Sequence, residues 1–312
     1  MAYSEQTSIA DAADIIHRIA NFAASAGWTV ERNDLVGANR TVTIRKPGVT
    51  DYIHIYNTAS TSILMRISVG YDGLLTPPNQ PNVSGECFTR IEAGPYPKLF
   101  LFAGGDWLWV TIGVALSGEY RHLAIGLLDK SGVYDGGTYI DGTHWGNGSY
   151  WASFNGNHLP FMNPAGGNPS NVGRVRADST TDGRSNFFFT FGVSSSSPNP
   201  VDALTEFGDD TAGRASCSIL RADDNAFSGR SVFHPLPVYV ARTGSTRYYS
   251  PIGVVPGVRL CSIQKFEPEQ EITIGTDVYK VFPCIAKRTM NGSAGVQPGA
   301  TGNYGYAVRK IV

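Results

Sequence analysis

The residues of this chain that could do chemistry are six histidines, a scatter of aspartates and a run of aromatic side chains. None of the histidines (His17, His54, His122, His144, His158 and His234) makes the i, i+4 pair with a carboxylate that a helical zinc site uses. His144 near Asp141, with His158 downstream, is the one grouping a glycine-rich loop would bring together; lacking ligand spacing, these are expected to be ordinary polar residues. Asp129, Asp135 and Asp141 stand among Tyr134, Tyr139, Trp145, Tyr150 and Trp151. Two carboxylates across a sugar site are what glycoside hydrolysis needs, and aromatic platforms also bind sugar without acids. A hydrolase would lose turnover when Asp135 or Asp141 is neutralised. A surface-glycan binding module would instead use the aromatic loop 134–151 and depend on Trp145. The reading preferred over both is that these rings pack loop against loop or subunit against subunit, because Tyr and Trp are favoured at interfaces.

Other reactive patterns are missing. There is no G-x-S-x-G elbow, and Cys87, Cys217, Cys261 and Cys284 lie far apart with no C-x-x-C, so they are expected to be buried thiols. Glycine pairs at 104–105 and around 146–148 lack the lysine or helix start that holds a phosphate. Asp209-Asp210 and Asp223-Asp224-Asn225 follow no calcium-loop spacing and read as solvated turns. No catalytic residue, metal or cofactor is expected.

Any site must sit on the elements that the apolar pattern predicts. Ile9, Ala12, Ile16, Ile19, Ala23 and Ala26 recur at helical spacing, which predicts a helix over 8–26 with a capping start at Ser8 and Asp11 and a left-handed stop at Gly27. Period-two alternation then predicts strands at 28–32, 40–46, 52–56 and 62–71, an antiparallel meander that covers the helix. Three prolines make 76–82 an exposed loop. Strands at 98–103 and 107–114, joined by a tight turn at Gly104-Gly-Asp106, and a third at 120–128 should form the centre of the core. From 131 to about 230 periodicity fails, and a loop that long is expected to be held by neighbours. Strands resume at 237–241, 257–263, 271–274, 278–282 and 307–312, with a hairpin at Gly275-Thr-Asp277. The fold class is therefore α+β, predominantly antiparallel β. It divides into a helix-plus-sheet domain (1–130), a loop-rich arm or insertion (131–230) and C-terminal strands packing back on the core (231–312).

Composition narrows the partners. With 312 residues, 42% of them apolar, the chain can build a large core without staples. A net charge of −1 leaves no footprint for nucleic acid or an anionic membrane, and no segment is apolar for the length of a membrane helix. The start has no signal-peptide pattern, so folding in a cytoplasm is expected. Charged residues are only 16%, a surface that often meets other protein. Between Lys130 and Lys265 arginine supplies every cation, and its planar fork suits buried or assembled contacts.

Several blocks carry a resemblance. The amphipathic helix ending in Gly27-Trp-Thr-Val-Glu-Arg-Asn33, the block at 120–137 that runs from a strand through Lys130 to Gly136-Gly137, and the closing segments 281–287 and 302–308 resemble virion structural proteins of tailed bacteriophages. The resemblance implies a multi-copy component of the neck, collar or tail, assembled in the host cytoplasm, whose partners are copies of itself and other virion proteins. A collar or sheath-like layer is favoured over a baseplate part, because no fibre repeat or lysozyme-like segment is present. Under this reading Tyr134, Tyr139, Trp145, Tyr150, Trp151, Phe187 and Phe189 are the expected contact residues, with Arg174, Arg176 and Arg184 as polar anchors.

Overall fold

The computed structural model describes residues 2–114, 118–143, 160–161, 173–177, 188–191, 202–205, 231–242, 248–263, 265–287 and 304–311. The chain opens with a strand that alternation of apolar residues does not announce, β1 (Tyr3–Ile9), followed by α1 (Ala12–Ser25). The helix thus starts later than its apolar spacing suggests. Ser8 belongs to β1, with φ of 58°, and the cap is Asp11, whose carboxylate accepts the Asp14 N–H at 2.8 Å. The other end is as expected. Trp28 N–H reaches the Ala23 carbonyl (2.9 Å) and Gly27 N–H the Ala24 carbonyl (3.1 Å), with Gly27 at φ of 83° in the left-handed region open to glycine.

The predicted meander follows as β2 (Thr29–Val36), β3 (Asn39–Arg45), β4 (Tyr52–Tyr56) and β5 (Ser62–Ser68). The proline-rich loop beyond it is only partly exposed, since Pro77 is buried and Gln80 pins the turn through hydrogen bonds to the backbone of Asp72 and Leu75. A short strand, β6 (Cys87–Arg90), completes a five-stranded sheet in the order β2-β3-β4-β5-β6.

The second sheet begins at the predicted apolar centre, β7 (Tyr96–Ala103), β8 (Trp107–Gly113) and β9 (Tyr120–Leu127), and β1 pairs along the free side of β7. Every residue of β8 is buried. The cause is that these strands are covered on both faces. Leu99, Leu101, Leu108, Val110, Leu123 and Ile125 share one core with α1 and the five-stranded sheet, while Phe100, Phe102, Trp107, Trp109 and Ala124 line another. Continuous apolar runs are the pattern such strands need.

Within 131–230, the described strands depart from the expected arm. After β10 (Asp129–Lys130), β11 (Gly136–Gly142) and β12 (Arg174–Ala177) are interior strands of the large sheet, and β13 (Phe188–Phe191) and β14 (Asp202–Thr205) extend it. Their backbone hydrogen bonds come from the chain's own neighbours, so these pieces need no companion copy to be held. The remainder of the sheet is β15 (Phe233–Arg242), β16 (Tyr248–Ser262), β17 (Glu271–Ile274), β18 (Asp277–Pro283) and β19 (Tyr304–Lys310). The order is β1-β7-β8-β9-β11-β12-β13-β14-β15-β16-β19-β18-β17, with β10 also on β16 and β13–β14 the parallel pair among the described strands. Both predicted hairpins are present, at 104–106 and 275–276.

This long sheet curls back on itself. Phe282 of β18 meets Phe100 (5.1 Å) and Phe102 (5.9 Å) of β7, and Tyr306 of β19 meets Trp109 of β8 (5.0 Å). At the curl Gly257 (φ of 73°) gives room to Trp107, whose ring would lie 2.1 Å from any added Cβ. The architecture is thus predominantly antiparallel β with a single described helix.

Candidate functional site

Polar side chains collect at three places, each built by strands remote in sequence. The first lies between the two sheets. Asp51, just before β4, is 2% exposed and accepts hydrogen bonds from Arg176 Nη1 on β12 (2.7 Å) and from Thr138 Oγ1 on β11. On the opposite face of β11, inside the curled sheet, the buried Asp141 accepts the backbone N–H of Gly142 (2.8 Å) and of Phe161 (2.7 Å). In that same interior Tyr306 donates its hydroxyl to the Pro160 carbonyl (2.8 Å). These bonds fasten residues 160–161 and β12 to the core. A buried carboxylate satisfied this way is a structural clamp.

The second is the histidine pair in the sheets. His122 on β9 is fully buried between Thr111 Oγ1 (3.0 Å) and the Pro283 carbonyl (2.9 Å), and burial pushes its pKa down to about 3. His54 on β4 lies between Thr43 Oγ1 (3.0 Å) and Ser68 Oγ (2.8 Å); burial first, then the Arg32 and Arg66 charges, lowers it to about 4. Both are neutral bridges between strands at neutral pH. Sequence spacing gave neither any partner, because each partner sits on an adjacent strand or, for Pro283, at the far side of the curl.

The third closes the curled sheet. Tyr3 donates its hydroxyl to Glu5 (2.8 Å), Lys280 Nζ lies 3.3 Å from both, and Lys310 reaches Glu271 (2.8 Å) with its ammonium 4.7 Å from the Tyr3 ring centre. Glu269 accepts from Lys98 (2.5 Å) and from the Tyr120 hydroxyl (2.9 Å). Burial raises Glu5, but the Tyr3 hydrogen bond and the Lys280 charge outweigh it and leave the carboxyl below its ordinary value. The same burial, reinforced by the Glu5 bond, pushes the Tyr3 phenol well up. β1 and β18 therefore meet through side chains. No pattern within 3–9 signals this network, since its partners lie up to 277 residues away.

The residues expected to contact companion molecules separate into groups. Tyr139 is 1% exposed with its ring against Phe161 (5.7 Å), and Arg174 and Arg176 are each 7% exposed; all three lie in the chain's own interior instead of on a surface that a companion molecule would touch. The reason is that β11 and β12 are covered on one face by the five-stranded sheet and on the other by the curl of their own sheet. Tyr134 is half-buried, hydrogen-bonded to the Ile252 carbonyl (2.9 Å) with Lys130 over its ring, and burial pushes its phenol up to about 12. Phe189 lies in β13, opposite Val175. Trp145, Tyr150, Trp151, Phe187 and Arg184 fall outside the described residues, as do His144, His158 and Cys217. The aspartates proposed for sugar chemistry do not share an environment: Asp141 is interior, whereas Asp129 and Asp135 are exposed. Cys87, Cys261 and Cys284 are buried free thiols, as expected. No family model matches the chain, and no curated protein matches it.

The described surface offers apolar side chains at turns. Leu35 (55% exposed) and Val36 (75%) end β2, Leu74 (94%) tops the turn before the proline loop, and Val133 projects fully between β10 and β11. These are contacts a companion molecule can cover.

Proposed function

We propose that this chain is a structural component of a tailed-phage particle, a multi-copy neck, collar or tail-associated protein that acts by assembly. The class comes from the resemblance carried by 27–33, 120–137, 281–287 and 302–308. The observation that carries the assembly reading is the contrast in how side chains are used. The acids and histidines His54, His122, Asp51 and Asp141 are engaged in holding strands together, while Leu35, Val36, Leu74 and Val133 stand in solvent at turns. A stiff body with apolar tips suits symmetric repetition, in which each copy covers its neighbour's tips. The partners are copies of this chain and other virion proteins, and the location is the particle, assembled in the host cytoplasm.

The test is electron microscopy of purified particles in which this chain carries an affinity label. Labels repeating at the neck or tail are the expected result; particles of full length and normal infectivity without the chain would refute the reading.

A further inference from the structure

Where each sheet ends decides what another copy can pair with. Among the described strands four are edges: β1 and β17 of the large sheet, β2 and β6 of the small one. The side chains of Lys280 and Lys310 lie across β1, β6 packs near β9 and β11, and β17 has only four residues. Short or covered edges are how proteins avoid unwanted pairing. β2 is the exception, eight residues long and exposed from Asn33 to Val36.

Its sequence is self-complementary in one antiparallel register. With a twofold axis through Asn33, Arg32 of each copy stands opposite Asp34 of the other. Within one chain these two already bond at 2.7 Å, on the same face of the strand and with Asp34 53% exposed, so pairing would join two dipoles into an alternating ring of four charges. The bulge between Val30 and Arg32 lies outside the three central pairs. Beyond them Leu35 and Val36 of each copy stand exposed at either end of the pairing. Arg32 also donates to the Leu75 carbonyl (3.0 Å), which sets the turn carrying Leu74 beside the same face. Opposite charges in register, exposed apolar residues at both ends and unpaired backbone groups between them are the elements of an isologous strand addition.

We propose that two copies of this chain pair through β2, antiparallel about a twofold axis at Asn33, so that their five-stranded sheets run on as one. The inference deepens the assembly reading and rests on it for its purpose. The backbone of the edge supplies affinity, and the Arg32–Asp34 alternation selects the register.

Sedimentation velocity of the full chain at about 1 to 100 µM tests it. The expected result is a reversible dimer. Asn33→Lys puts two like charges on the axis and Asp34→Arg opposes Arg32 with its own kind, so each should weaken association about tenfold or more while circular dichroism stays unchanged. The double exchange R32D/D34R keeps opposite charges facing each other and should restore the dimer. A wild-type chain monomeric throughout, or a dimer indifferent to both single substitutions, overturns the pairing, and a double exchange that stays monomeric overturns the register. The assembly reading fails by a different observation, the dispensability of the labelled chain to particles, so the two can fall separately.

Discussion

β8 and β2 are strands of similar length with opposite duties. In β8 no residue is exposed, and its two faces belong to different cores, Trp109 to one and Leu108 and Val110 to the other. In β2 the last four residues face solvent and only Val30 packs partly against a core. Stability resides where a strand is covered twice. Freedom to meet another molecule resides where it is covered once, and the same chain keeps the two apart.

Acid should expose that contrast most strongly. The folded pKa values of His122 and His54, about 3 and about 4, lie below the ordinary histidine value, so the unfolded chain binds protons first as pH falls. Their contribution is complete above about pH 6.5 and is lost progressively toward the folded values, roughly 3 kcal/mol for each by pH 4. Urea midpoints between pH 8 and 4 should fall accordingly, and glutamine at both positions should flatten the slope; an unchanged slope would mean the rings are open to water.

Next in size is the clamp between the sheets. Arg176→Ala leaves the Asp51 carboxylate buried without its cation, and should cost about 3 to 5 kcal/mol in denaturant unfolding. Asp51→Asn with Arg176→Met should recover part of that loss, because the pair of replacements leaves no uncompensated charge buried. A cost below about 1 kcal/mol for Arg176→Ala would place the pair in solvent.

How much of this was legible in the chain follows from what each residue is packed against. The helix, the meander, the β7–β9 centre and both hairpins were readable, because Ile15, Val42, Ile53 and Leu101 are buried by apolar contact and burial writes a period into sequence. β1 was not, since its inward residues Tyr3 and Glu5 serve a polar seam and carry no apolar alternation. β11 and β12 do not show in the pattern for a related reason. β11 and β12 mix glycine, threonine, aspartate and arginine that are buried because Asp51 and Phe161 come to meet them, and such partners leave no mark on local spacing. The polar clamps were invisible from the chain alone for the same cause.

The seam offers a smaller effect. Lys280→Met removes the shared cation of Tyr3 and of the exposed Glu5, so about 1 kcal/mol is expected, and the wild-type advantage should shrink in 1 M salt. A salt-independent loss would assign the effect to packing of the lysine stem on Phe100. Smallest of all, Val36→Ser should change unfolding by no more than about 0.5 kcal/mol. A large cost there would erase the division between β8 and β2.

The way β1 approaches β18 has a mechanical meaning. A cylinder of strands closed by backbone bonds has uniform stiffness around its circumference, whereas here Lys280, Glu5, Tyr3, Lys310 and Glu271 form a sutured joint of long, jointed side chains. Such a suture yields by small rotations of its arms before any ladder of strand hydrogen bonds breaks, so load on the wall is relieved along this line first.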